Sequence, residues 1–309
     1  MQHHHWFENR HPFDYGPEER LEQISKGFDD ENTEFLIAKS KYDKNAVGVI
    51  GYSTHGDSGM IRGWEPGVIP ENQNGGIGEA LLESCFDDLR KKGMKTAWCW
   101  RKGPYNSPEI GTWYLDLFVK MGLEKRPPGA VQMLLDLRDI EPNSDLGSGF
   151  EIVDATGFSS EDLAELTYRT FFSTPEERIL HTSDIQDWDK EKEMQKLTNT
   201  IQGQLNRSYY DCWSIAMIEG EPVGLTGSWK VESPYRPLTA GISSVGVIPE
   251  FRRRGIAFAL LNNVHRALKE RDIRYAFLGV SDINYGAISL YEHCEYKYVF
   301  QVDRFEKVL

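Results

Sequence analysis

Three consecutive arginines, Arg252-Arg253-Arg254, followed by Gly255-Ile256-Ala257, form the stretch of this 309-residue chain best suited to chemistry. Gly246-Val247-Ile248-Pro249 ahead of it reads as a strand stopped by proline. Behind it Ala257, Leu260, Leu261, Val264 and Leu268 recur at helical spacing, so a helix starts near Gly255. A strand that feeds a helix through so short a turn points several unpaired backbone N–H groups outward, at the positive end of the helix dipole. Such a turn binds anions. Three like charges crowded there conflict with the dipole, and an anionic ligand relieves the conflict. Gly255 lets the backbone approach the ligand, Ala257 keeps the first turn small, and Arg252, Arg253 and Arg254 can add charge-assisted bonds.

The same phrase stands 179 residues earlier: Gly67-Val68-Ile69-Pro70 before Gln73, Gly76 and Gly78, then Ala80-Leu81-Leu82 against Ala259-Leu260-Leu261. A lone glycine-rich turn is a weak signal, whereas a register kept over a dozen residues indicates a duplicated domain. At ~150 residues per domain the length also suggests two.

The elements that must position these turns follow from periodicity. Asp14 to Pro17 starts a helix carrying Leu21, Ile24 and Phe28; residues 34–38 and 46–52 form a hairpin across 41–45; a third strand ends at Pro70. A helix runs from Gly76 to Lys92 and stops at Gly93, strand 96–100 follows, and a helix with Trp113, Leu117 and Phe118 leads to Gly122. Residues 131–135 close this half, giving a first domain over 1–138. The polar stretch 139–149 reads as a linker, and a second domain covers 150–309. There, strand 150–153, helices 161–171 and 185–202, a hairpin of 213–218 with 222–229, the motif strand and its helix to Arg271, strand 275–280, helix 285–293 and strand 296–305 repeat the order.

Arg-x-x-Gly-x-Ala at 252–257, together with Asn284-x-x-Ala287-x-x-Leu290-Tyr291, resembles the GCN5-related N-acetyltransferases, which bind acetyl-CoA. The resemblance covers both halves and is most specific in the second. It implies an α/β (α+β) chain of two tandem domains, each a mixed, mostly antiparallel sheet flanked by helices, similar to the two-domain arrangement of mycothiol synthase. By resemblance, the turn Arg252–Ala257, Ile256 included, holds the pyrophosphate. The main chain of Val245 and Val247 pairs with the pantetheine arm, Asn284 contacts that arm, and Tyr291 protonates the departing thiolate. On their own terms Val245 and Val247 are also core residues, Asn284 a helix N-cap and Tyr291 a packing residue on an apolar helix face. The reaction implied is direct attack of a primary amine, from a small molecule or peptide, on the thioester. The glutamate that relatives carry early on the motif strand is missing from Ala240-Gly241-Ile242-Ser243-Ser244, which leaves Glu232, Asp282, or a water held by Ser243 or Ser244 as the base. In the first half Gln73-x-x-Gly76-x-Gly78 keeps an acceptable turn, but Phe118 replaces the tyrosine. That half is expected to be a structural partner, with chemistry in the second. The alternative is an acyl-CoA-binding or regulatory module without turnover.

A net charge of −13 argues against a nucleic-acid surface. No apolar run is long enough to span a bilayer and no signal-peptide pattern precedes a cleavage site, so a soluble, cytoplasmic chain is expected. The four cysteines lack paired spacing, which suggests buried thiols rather than disulfides or metal ligands. His3-His4-His5 reads as a frayed start or tag remnant. Trp213, Trp229 and Tyr235 are either acceptor-pocket or core residues.

Overall fold

A computed structural model of the chain describes residues 17–28, 30–61, 66–105, 113–142, 147–181, 189–208, 212–233 and 236–309. His3 to His5, Tyr235, Asp14 and the middle of the linker lie outside them. The chain forms two compact units, residues 1–131 with 299–309, and residues 132–298.

In unit 1, α1 (Pro17–Phe28) precedes the hairpin of β1 (Glu34–Lys39) and β2 (Ala46–His55). The strand expected before Pro70 is divided into β3 (Ser58–Ile61) and β4 (Gly67–Val68), both antiparallel to β2. The turn at Gly56, with φ of 59°, makes β2–β3 a tight hairpin that hydrophobic pattern alone does not reveal. After α2 (Ile77–Lys91), β5 (Thr96–Pro104) lies parallel to β3, and α3 (Trp113–Lys120) follows. Leu82, Phe86 and Leu89 bury one face of α2 against Ile50, Tyr52 and Cys99 of the sheet. Each such side chain contributes about 1.5–3 kcal/mol when fully covered.

The chain's last strand, β12 (Lys297–Val308), departs from expectation. It pairs antiparallel with β5, from Phe300 opposite Pro104 to Val308 opposite Thr96. Residues 299–309 therefore belong to unit 1 rather than closing the second half. Its alternation of buried and half-buried residues suits either sheet equally, so sequence could not choose the partner. β6 (Glu124–Asp136), longer than the expected 131–135, contributes residues to both units.

Unit 2 has the strand order β11-β10-β9-β8-β7, where β7 is Glu151–Asp154, β8 Ser214–Ile218, β9 Glu221–Lys230, β10 Thr239–Val247 and β11 Tyr275–Ser281. Within this order β10 and β11 run parallel and the other neighbours antiparallel. Helices cover both faces. α4 (Ser160–Phe171), started by a Ser159–Asp162 capping box, and α6 (Lys190–Leu205), capped by Asp189, pack Leu163, Ile201 and Leu205 on Trp213, Ile215 and Leu225. On the other face α7 (Ile256–Lys269) packs Ile256 and Leu260 on Ala216, Val223 and Val247. Between α4 and α6 lies α5 (Pro175–His181), and α8 (Tyr285–His293) follows β11. Trp213 is core: its Nε1 donates to the Ser228 carbonyl at 2.9 Å. All four cysteines are buried free thiols. No helix among the described residues is long and apolar enough to cross a membrane.

Candidate active site

β10 is built to part from β11. The two pair only over Thr239–Gly241 with Tyr275–Phe277, although β10 continues to Val247. Against β9 the register slips by one residue between Ser243 and Gly246, and Ser244 takes φ of 53°. This is a β-bulge, which bends the strand and re-aims its peptide groups. Past the bulge, no strand among the described residues pairs with the β11-facing edge of Val245–Val247, which lines a cavity of about 470 Å³.

The end of β10 leads through one 3-10 turn, Pro249–Phe251, into Arg252–Gly255 and α7. Gly255 has φ of 79° and caps the helix without a side-chain bond. The first bond of the helix runs from the Ala259 amide to the Gly255 carbonyl, leaving the amides before it directed out of the helix end. The cavity wall contains Arg252, Arg253, Gly255, Ile256 and Ala257 here, and Asn284 and Tyr291 opposite. Sequence placed these in one site, and the fold brings them into one cavity. Arg254 does not join it: its Nη2 donates to the Glu250 carbonyl at 3.4 Å and its guanidinium lies over Phe251.

Arg252 lines the cavity, yet its donors are engaged by protein groups. Nε donates to the Val247 carbonyl at 2.9 Å, Nη2 to the Thr170 carbonyl at 2.9 Å, and Nη1 to the Glu177 carboxylate. It clips the turn to the strand end and to α4 and α5. Arg253 is exposed at φ of 63° and adds cationic charge to the wall, and among the described residues no carboxylate forms an ion pair with it. Glu177 and Phe171, also on the wall, were missed by sequence reading. Thr174-Pro175-Glu176-Glu177 is a readable helix start, and Thr174 Oγ1 does accept from the Glu177 amide at 3.3 Å.

Asn284 is the N-cap of α8, its Oδ1 accepting from Ala287 N at 3.2 Å, and its side chain still reaches the cavity wall. Tyr291 is 6% exposed and lines the same wall. Burial, then the neighbouring Cys294, pushes its phenol well above the usual tyrosine range, so it keeps its proton at any working pH. The four candidates for the base, Ser243, Ser244, Glu232 and Asp282, all lie off the cavity wall. Ser243 Oγ donates to Gln204 Oε1 at 3.1 Å, and Glu232 is exposed beyond β9.

The first-half turn repeats this backbone closely. Gly76 has φ of 78°, Asn74 matches Arg253 at 63°, and Gln73 Nε2 donates to the Val68 carbonyl at 2.9 Å, as Arg252 Nε does to Val247. The chemistry differs. A smaller cavity of about 300 Å³ is lined by Gln73, Gly76, Gly78, Glu79 and Asp116, with Lys120 as its cation. Glu79 occupies the first turn of α2, where its own backbone N–H, then Lys120 at 3.0 Å, hold its carboxyl below the usual range. A carboxylate of the chain thus supplies the negative charge that this helix end favours. At the matching place in unit 2, Phe258 is uncharged and packs on His293.

A splayed parallel pair, a bulge and a glycine-capped helix start thus meet at one cavity. The Acetyltransferase (GNAT) family matches residues 1–113 and 167–296, and the chain belongs to that family. Among solved structures it is similar to a GCN5-related N-acetyltransferase from Sphaerobacter thermophilus, with 18% identity, a TM-score of 0.68, and 95% of this chain and 87% of that one covered. A tandem GNAT protein from the clavulanic acid biosynthesis pathway gives 16%, 0.63, 90% and 84%. No curated protein matches the sequence. The chain is a tandem GNAT protein, and its fold supports acyl-CoA-dependent acyl transfer to an amine acceptor.

Proposed function

We propose that the chain transfers an acetyl group from acetyl-CoA to a primary amine of a small molecule or peptide, and that unit 2 does the chemistry. The observation that carries this reading is a single cavity lined by the free edge of Val245–Val247, the turn Arg252–Ala257, Asn284 and the buried phenol of Tyr291. Backbone amides at the start of α7 and the charge of Arg253 suit a diphosphate. The peptide groups of Val245 and Val247 suit the amides of a pantetheine arm, which can add to a strand edge. The amide groups around the bulge suit a thioester carbonyl that gains negative charge as the amine attacks. As the C–S bond breaks, Tyr291 gives its proton to the departing thiolate and regains one from solvent, while a water accepts the proton that the attacking nitrogen loses.

The first half serves as a structural partner. Its turn is provided with an internal carboxylate, Glu79, and Phe118 has no proton to give. Free thiol released on mixing the protein, acetyl-CoA and a panel of primary amines tests the transferase reading. Binding of CoA without thiol release for any amine would favour a regulatory acyl-CoA module instead.

A further inference from the structure

The buried residues behind Tyr291 differ between the two halves as a set. His265, on α7, is 1% exposed, and its Nε2 shares a 2.9 Å hydrogen bond with Tyr296 Oη. Tyr296 is 2% exposed. Its amide donates to the Tyr291 carbonyl at 3.0 Å, and its ring meets that of Tyr291 edge-on, centroids 5.9 Å apart at 61°. Tyr296 therefore holds Tyr291 by backbone and by ring, and His265 holds Tyr296.

The corresponding places in unit 1 follow from the turn register for α2 and from the helix-end bonds for α3. They are Phe86, Leu123 and Phe118, all buried in one apolar cluster. The same backbone thus packs the same three positions without a polar atom. A histidine and a tyrosine hydroxyl in a core carry a desolvation cost that their mutual bond only offsets. Packing does not require them. They occur where the helix ends in a tyrosine and are absent where it ends in a phenylalanine.

We infer that His265 and Tyr296 are positioning residues for Tyr291, holding its phenol at the cavity wall in the orientation that proton donation to the leaving group needs. The inference rests on the reading of Tyr291 as the acid. Burial pushes the His265 imidazole down to about 3, so it stays neutral and keeps the bond to Tyr296 over the working pH range.

The test pairs kinetics with a signal that needs no acceptor. The double variant His265→Phe/Tyr296→Phe removes both polar ends together, leaving no orphaned group, and a phenyl ring at 265 has its precedent in Phe86. With a primary amine that the wild type acetylates, kcat for thiol release should fall about tenfold while KM for acetyl-CoA moves less than about twofold. In a Tyr291→Phe background the same change should cost nothing further, and an equal fall there would overturn the inference. The Tyr291 ¹³Cζ resonance, assigned by its loss in Tyr291→Phe, should shift or broaden in the double variant and stay at its wild-type position in His265→Gln, which keeps a partner for Tyr296. An unchanged resonance in the double variant also overturns it. If the wild type acetylates no amine, the transferase reading fails and the resonance alone decides the positioning role.

Discussion

Phe118 and Tyr291 occupy the same place in two copies of one helix end. The Phe118 carbonyl accepts from Leu123 N at 2.9 Å and the Tyr291 carbonyl from Tyr296 N at 3.0 Å. One residue earlier, the Leu117 and Leu290 carbonyls take the amides of Met121 and Cys294. The left-handed residue that ends each helix is Gly122 in one and Glu295 in the other. The two backbones are matched, so one phenolic oxygen is the chemical difference at this point between the halves.

Removing that oxygen should separate chemistry from binding. Tyr291→Phe is expected to lower thiol release about 10²-fold while leaving the calorimetric affinity for CoA unchanged. Because burial raises the phenol, the alkaline limb of the wild-type rate profile should not show a tyrosine ionising at its ordinary value of ~10.

The two turn glycines should behave alike in stability and unlike in binding. Gly255→Ala and Gly76→Ala both place a Cβ at φ near 79°, at a cost of about 1 kcal/mol each by denaturant melting. Only Gly255→Ala should weaken CoA, and titration calorimetry should find one CoA per chain. Equal weakening by both would refute a single site.

The arginines of the motif should separate as well. Arg252→Gln/Glu177→Gln keeps a donor for the Val247 carbonyl, as Gln73 does for Val68, and removes both members of an ion pair, so the charge on the cavity wall is unchanged. CoA affinity should then change less than about threefold, whereas Arg253→Gln should lose about fivefold, roughly 1 kcal/mol. Raising the salt should shrink the Arg253 effect, because that side chain is exposed.

His265 makes stability depend on pH. Its pKa is pushed from 6.5 down to about 3 by burial, so the unfolded chain takes up a proton that the folded one refuses. The folded state has its full advantage above pH 6.5 and loses it as the pH falls toward 3. Thermal melts between pH 6.5 and 4 should therefore decline less steeply for His265→Phe/Tyr296→Phe than for the wild type. Parallel declines would contradict a buried neutral imidazole.

By itself the sequence determined the family, the duplication and most of the cavity wall. These depend on local rules: glycine where φ is positive, proline where a strand stops, and a helix start that exposes its amides. Arg253, Gly255, Ile256, Ala257, Asn284 and Tyr291 were all legible because they sit within a few residues of such a signal. Tertiary structure alone decided which strand the C-terminal segment joins, since a ladder is satisfied by any edge of the right register. It also decided that Arg252 is a clip rather than a free cation, because Thr170 and Glu177 meet it from more than seventy residues away. The pairing of His265 with Tyr296 is of the same kind. Both residues are visible in the sequence, but only the packing of α7 against the segment after α8 brings the ring nitrogen within bonding distance of the hydroxyl.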